Sequence, residues 1–197
     1  MVAAARAAFA ERGFADVSMA DIAAACGITK PMLYAYFGSK EGLFVACSQQ
    51  AAGELLDEVR AAALAKDVPP DQRLWHGFIA VFDFVERNRD AWSILYPARG
   101  AAGGGTVGSG AAEARDAMAA LLEELLAENA RAAGMGEDAA LETRPIAHAL
   151  TGATMAMAAW WLEHSDEPKE LQALRLMNFA WMGFGDILEG RLWLPPE

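Results

Sequence analysis

Between Ser18 and Leu43 the chain reads SMADIAAACGITKPMLYAYFGSKEGL, a stretch in which hydroxyls, phenols and ammonium groups recur at short intervals. Lys30, Pro31, Met32, Tyr34 and Tyr36 lie on the side of a short helical segment that faces away from Leu33 and Phe37. A cation, two phenols and an apolar pair make an odd solvated face. They do suit phosphate oxygens and base edges, thymine methyls included. Lys30 and Lys40 each stand in the first turn of a helix, where a cation opposes the macrodipole by ~0.3–1 kcal/mol. A phosphate placed beside them reverses that sign.

Catalytic chemistry finds no comparable set. No serine sits in a G-x-S-x-G elbow. GAAGGGTVGSG lacks the lysine and the strand-to-helix setting of a phosphate loop, so it reads as a linker. His76, His148 and His164 are scattered, and with Cys26 and Cys47 they make no zinc-type spacing. The expectation is a non-enzyme with neither metal nor cofactor. Two cysteines are too few for a disulfide scaffold, and both are expected on buried helix faces, away from redox chemistry.

The elements that position the polar set follow from local signals. Ser18 followed by Asp21 is a capping box, and Gly27 supplies the positive φ of a turn. Thr29 is a second N-cap, Pro31 fits a first turn, and Leu33 and Phe37 turn one face inward. Ser39 caps a third helix, which Leu43, Phe44, Cys47, Leu55 and Val59 carry to near Lys66, ahead of Pro69–Pro70. Residues 1–13 form an earlier amphipathic helix ended by Gly13, with Phe14 and Val17 plugging a small core. Two short helices joined by a glycine-containing turn are a helix-turn-helix, whose second helix enters a major groove.

Phe9, Glu11, Gly13, Phe14 and Ser18, then Ile22, Ala23, Ala25, Gly27 and Ile28, then Leu33, Tyr34, Tyr36, Phe37, Lys40, Glu41 and Leu43 form one pattern. It resembles the DNA-binding domain of the TetR (tetracycline-repressor-like) family, and LYAYFGSKEGL is close to that family's LY-x-[HY]-F-x-x-K-x-x-L signature. The resemblance covers about a quarter of the chain. It implies that Ser18, Thr29, Tyr34 and Lys40 hold phosphates while Lys30, Pro31, Met32 and Tyr36 face bases. Met32 stands where such proteins usually carry Thr, Ser or Ala.

The remaining sequence is helical in pattern. Helices are expected over 71–88, around Trp92–Tyr96, from Ala111 to Ala133, and over 138–164 and 168–190, with 100–110 a loop. Aromatic and methionine side chains in the middle helices either pack a core or wall a ligand cavity. The candidate walls are Trp75, Phe78, Phe82, Trp92, Tyr96, Met118, Leu122, His148 and Trp160. The last two helices carry more apolar surface than one small body needs. Two copies could close into a four-helix interface through Gly152, Ala153, Ala156, Trp161, Trp181, Phe184 and Leu188. In TetR-like proteins the last two long helices form such an interface, and the larger domain binds small effectors. The fold expected is all-α, with a three-helix DNA-binding domain at 1–47 and an effector-binding and dimerisation domain at 48–197.

A net charge of −11 looks wrong for a DNA partner until it is divided. Residues 1–48 hold four basic and four acidic side chains, and the remainder holds 12 and 23. The acidity thus lies away from the proposed DNA face, where it would repel a duplex. The chain begins at Met1 almost inside the first helix, without the basic arm that family members often carry, so the expectation is either a truncated chain or DNA binding with a shallow salt dependence. No secretory signal is visible, because Arg6, Glu11 and Arg12 break the opening alanine run. Pro145 to Leu162 is free of charge, but its Ala, Gly, Thr and His content suits a buried helix better than a membrane span. The reading is a cytoplasmic, dimeric, ligand-responsive regulator of transcription, most simply a repressor, with a double-stranded operator and a small apolar effector as partners. The rival is a small-molecule-binding or enzymatic helical protein whose first helices serve a partner interface. Lean charge in residues 1–48 favours the rival, and the LYAYF…K run opposes it.

On this assignment Lys40→Ala weakens binding to all duplexes and flattens the salt slope by about one unit. Tyr36→Ala instead changes which operator is preferred. Equal losses on specific and random DNA would remove Tyr36 from base readout.

Overall fold

The helix-turn-helix begins with the capping box. Ser18 Oγ accepts from the Asp21 amide at 3.2 Å, while Asp21 Oδ2 accepts from the Ser18 amide at 3.0 Å and its hydroxyl at 2.7 Å. In this computed structural model, residues 1–96, 106–132, 139–164 and 166–188 are described. Among them every regular element is a helix. The first four are α1 (Val2–Asp16), α2 (Met19–Ala25), α3 (Lys30–Phe37) and α4 (Lys40–Ala63). Then follow α5 (Pro70–Arg87), α6 (Arg89–Leu95), α7 (Thr106–Ala132), α8 (Ala139–Glu163) and α9 (Lys169–Leu188).

Several boundaries differ from the sequence expectation. Helix α1 carries on to Asp16, although Gly13 interrupts its helical geometry at φ +81°. Helix α7 starts at Thr106, so residues 106–110 of the expected loop are helical, and the earlier part of that loop lies outside the described residues. Thr29 stands at the N-cap of α3 but its side chain makes no capping hydrogen bond. Ser39 does cap α4, accepting from the Gly42 amide at 3.0 Å.

The chain forms two compact units: Met1–Leu56 with Val85–Asp116, and Asp57–Phe84 with Ala117–Glu197. In the first, Ala5 and Phe9 of α1, Met19 and Ile22 of α2, Leu33 of α3 and Leu43, Phe44 and Cys47 of α4 share one core. Val17 plugs it, as expected, and Phe9, Phe14 and Phe44 meet with ring centroids 5.2–5.7 Å apart. Ile94 of α6 joins the same core, and α6 packs against α1. Arg6 ties this arrangement together, with its guanidinium 2.6 Å from Glu54 and 2.9 Å from Asp90. Burial opposes the Arg6 charge, but the two carboxylates outweigh it and leave its pKa above the ordinary value.

The second unit holds α8 against α9 across a short turn. Trp161 donates from Nε1 to the Glu167 carbonyl at 2.8 Å, and Gln172 donates to the Glu167 carboxylate at 2.7 Å. Arg175 pairs with the same carboxylate, and Lys169 reaches Asp83 on α5 at 2.7 Å. Helix α5 is buried around much of its girth, since Phe84 is sequestered as fully as Phe82. Among the described residues no helix is long and apolar enough to cross a membrane.

One backbone approach sets the joint between α3 and α4. A Cβ on Gly42 would overlap the carbonyl oxygen of Phe37, the last residue of α3. Gly42→Ala must push the two helices apart, and it is expected to destabilise the protein by about 1–3 kcal/mol. An unchanged melting temperature would show that the joint is slack.

Candidate functional site

Gly27, at φ +66°, turns the chain between α2 and α3. Helix α3 then buries Leu33 completely and leaves Met32, Tyr34 and Tyr36 exposed by 43%, 41% and 62%. Large hydrophobic side chains left this open on a short helix form a contact face rather than a core. Lys30 adds an ammonium 5.8 Å from the Tyr34 ring, and Thr29 and Pro31 are exposed at the same end. The sequence-derived set from Thr29 to Tyr36 is therefore brought together on one accessible helix. Ser18 is exposed too, but its hydroxyl already serves the capping box.

Lys40 is held more firmly than a first-turn lysine need be. Its Nζ donates to the Ala15 carbonyl at 3.2 Å and sits 4.5 Å from the centre of the Phe14 ring. The ammonium thus ties the C-terminal end of α1 to the start of α4. Arg12 pairs loosely with Asp21 at 3.8 Å, and Arg6 is consumed by Glu54 and Asp90. Lys30 is left as the cation best placed beside the exposed aromatic face. A loss of affinity in Lys40→Ala contains a folding component, and Lys30→Ala is the cleaner probe of phosphate contact.

The second unit carries a partly open cavity of about 30 Å³. Val59 of α4 closes one side, and Leu74, Gly77, Phe78 and Val81 of α5 form another. Helix α7 contributes Met118, Leu121, Leu122 and Leu125, and α8 contributes Thr151 and Thr154. Three of the sequence candidates, Phe78, Met118 and Leu122, meet here. The other six do not line it. Phe82 is fully buried against Trp161, with ring centroids 5.6 Å apart. Trp92 and Tyr96 stack on each other in the first unit, 5.3 Å apart. Trp75 is half-buried away from the cavity, and His148 is exposed rather than on a core face. Trp160 is exposed and stacks on His164, 4.4 Å between centroids. Thr151 escaped sequence reasoning as a wall residue; its signal was a hydroxyl three residues from Thr154 on an otherwise apolar helix.

The interface candidates divide as well. Gly152 and Ala156 are exposed and Ala153 is half-buried, whereas Trp161 points inward and is 3% exposed. One helical step of 100° exchanges the expected roles of Trp160 and Trp161. Leu171, Leu174 and Phe179 add exposed apolar surface on α9. The side chains of Trp181, Phe184 and Leu188 lie outside the described residues. Burial of Cys47 pushes its thiol up to about 12, far from a reactive thiolate. Among the described residues no group of His, Cys, Asp and Glu is placed to hold a metal ion.

A three-helix core carrying a helix-turn-helix, followed by helices that wall an apolar cavity, defines a helical regulator of transcription. Residues 1–47 match the bacterial regulatory proteins of the tetR family, and residues 70–183 match the tetracyclin repressor-like C-terminal domain. The chain belongs to the TetR family, whose members here are transcriptional regulators rather than enzymes. It is 29% identical over 181 residues to the HTH-type transcriptional activator FasR of Mycolicibacterium smegmatis, covering 91% of this chain and 78% of that protein. A TetR-like transcriptional regulator from Rhodococcus sp. RHA1 is 32% identical over 93% of both chains, with a TM-score of 0.71. FadR from Bacillus subtilis in complex with stearoyl-CoA shares the fold at 14% identity, covering 98% of this chain and 97% of that one, with a TM-score of 0.75.

The capping box makes a pH test of the reading unit. Hydrogen bonds from the Ser18 side chain and backbone hold the Asp21 carboxyl below its ordinary pKa. A depressed folded value means the stabilisation is present above the unfolded pKa of about 3.9 and is lost as pH falls through the folded one. Asp21→Asn should therefore melt lower than the parent at neutral pH, with the gap closing below about pH 4. A gap that persists in acid would assign the loss to something other than the carboxylate.

Proposed function

We propose that the protein is a ligand-responsive repressor that binds a palindromic operator as a homodimer. Residues 1–47 form the DNA-reading domain, and residues 48–197 form the effector-binding and dimerisation domain. Thr29, Tyr34 and Lys40 contact phosphates, and Lys30, Pro31, Met32 and Tyr36 face bases; Ser18 joins the phosphate set only by giving up the proton it donates to Asp21. The exposed Met32–Tyr36 face of α3, in the second helix of a helix-turn-helix, is the observation that carries this reading. Dimerisation uses Gly152, Ala153, Ala156 and Trp160 of α8 with Leu171, Leu174 and Phe179 of α9, apolar surface that a lone chain leaves open. The protein acts in the cytoplasm.

The effector is a hydrocarbon-chain molecule that enters between α4, α5, α7 and α8. An apolar wall supports this, as does the stearoyl-CoA bound by a neighbour of the same fold. Ligand pockets usually span roughly 300–1,000 Å³, so the small cavity must widen to accept a chain. Widening displaces Val59, and α4 carries both Val59 and Lys40. The coupling to operator affinity is then about 1–3 kcal/mol, the usual range for such linkage. The relative named a transcriptional activator favours a second reading, in which the same DNA contacts recruit polymerase rather than block it.

Selection of the purified protein on a random duplex library should enrich an inverted repeat with half-sites about one helical turn or more apart. Long-chain acyl-CoA should then lower affinity for that operator by about fivefold to 150-fold. A reporter driven from the operator separates the signs: deletion of the regulator raises expression under repression and lowers it under activation. No enriched sequence from a folded dimer would defeat the DNA-reading assignment.

A further inference from the structure

One position on the cavity wall carries no side chain, and nothing in the local geometry asks for that. Leu74, Gly77, Phe78 and Val81 recur at three and four along α5 and line the cavity together with Met118, Leu121, Leu122 and Leu125 of α7. Among those α5 positions Gly77 alone leaves a notch where the others present an apolar side chain. It is buried, yet two ordinary reasons for a buried glycine fail here. Its backbone lies outside the left-handed region, which among the described residues holds Gly13, Gly27 and Gly38. Close helix packing does not require it either. A Cβ at Gly77 would meet Val59 Cγ1 at 3.8 Å and Ala63 Cβ at 3.9 Å, ordinary van der Waals separations that displace nothing. Gly42 is the contrast, since a Cβ there would overlap the Phe37 carbonyl. Helix propensity argues against glycine in the interior of an 18-residue helix, where alanine is the better former. Gly77 therefore lowers stability without helping the packing around it, and what it does provide is space beside Val59.

We propose that Gly77 is a specificity-determining residue of the effector site: its notch, bounded by Val59 and Ala63 of α4, holds a stretch of the ligand's hydrocarbon chain. Apolar atoms around a gap lose dispersion contacts, and methylenes laid into the gap restore them. The side chains bounding the notch are hydrocarbon, so an apolar stretch of the ligand gains there while a charged end is driven out. A methyl on Gly77 fills the same space from the protein side, permanently. Alanine is then better for the empty fold and worse for the ligand, an exchange of binding for stability. Gly77 has this role only if the hydrocarbon-chain reading of the effector above holds; what it adds is the residue that sets the room for that chain.

Thermal melting and calorimetric titration of the full-length protein supply the test, with stearoyl-CoA and stearate as probes that share a chain and differ in the head. Without ligand, Gly77→Ala should melt about 2–4 °C above the parent. The same variant should bind the probes about tenfold more weakly, by a similar factor for each. A variant that is merely damaged would lose stability and affinity together. Gly53→Ala is the control, because Gly53 lies inside α4 with nothing within 4 Å of where its Cβ would stand. It should also melt higher, yet bind both probes within about twofold of the parent. A lower melting temperature in Gly77→Ala would make the glycine a packing requirement and overturn its role in binding. Unchanged affinity in Gly77→Ala overturns it too, as does an equal loss in Gly53→Ala, which would assign the effect to helix stiffness. Each of these leaves the chain effector standing. If neither probe binds a parent protein that still holds its operator, the chain effector itself fails, and Gly77 with it.

Discussion

The approach of α4 to the end of α3 at Gly42 is the constraint on which the reading unit turns. With no side chain at Gly42, the first turn of α4 lies against the Phe37 carbonyl, and α3 cannot rotate without a steric cost. Lys40, two residues earlier, grips the Ala15 carbonyl and the Phe14 ring. The three phenylalanines at 9, 14 and 44 fill the space behind. Backbone contact, ammonium and aromatic cluster therefore act on the same joint. The outcome is a short helix whose inner side is fixed by Leu33 and whose outer side presents Met32 and Tyr36 at a defined angle.

Signals within a few residues were the ones that could be read from the chain. The Ser18–Asp21 box, the Gly27 turn, Pro31 and the Ser39 cap are local chemistry, and the elements they mark stand where the spacing puts them. Pairings over long separations could not be read. Arg6 finds Glu54 and Asp90 at 48 and 84 residues' distance, and no periodicity announces either. Helical phase was the other limit. Around Trp160 and Trp161 apolar residues occur on every side, so the choice of inward tryptophan depends on Phe82 and the Glu167 carbonyl, supplied by other segments. The same reasoning explains the cavity. Aromatic content points to Trp75, Trp92 and Tyr96, whereas the actual wall comes mostly from α5 and α7, with leucine its commonest residue.

Charge is distributed to match a division of labour along the chain. The first 48 residues are neutral in sum, yet three of their four cations are tied by Asp21, by Glu54 and Asp90, or by the Ala15 carbonyl. Arg6 and Arg12 are paired with carboxylates, whereas Lys40, held by a neutral carbonyl, keeps its positive charge, as does Lys30. The acidic remainder adds a repulsive background that disfavours any duplex pressed against it.

Arg6 and Ile94 carry a consequence for anyone who would graft this reading unit onto another protein. The helix-turn-helix by sequence ends before residue 48, but its core includes Ile94 and the half-buried Arg6 guanidinium is neutralised partly by Asp90. A chimaera cut at the apparent domain border would leave an arginine missing one of its two carboxylates and a hole where Ile94 had been. The transplantable piece is discontinuous: residues 1–56 together with the segment that contains α6. Exchange of specificity between relatives by simple recombination near residue 47 is correspondingly disfavoured, unless both parents offer a compatible α6.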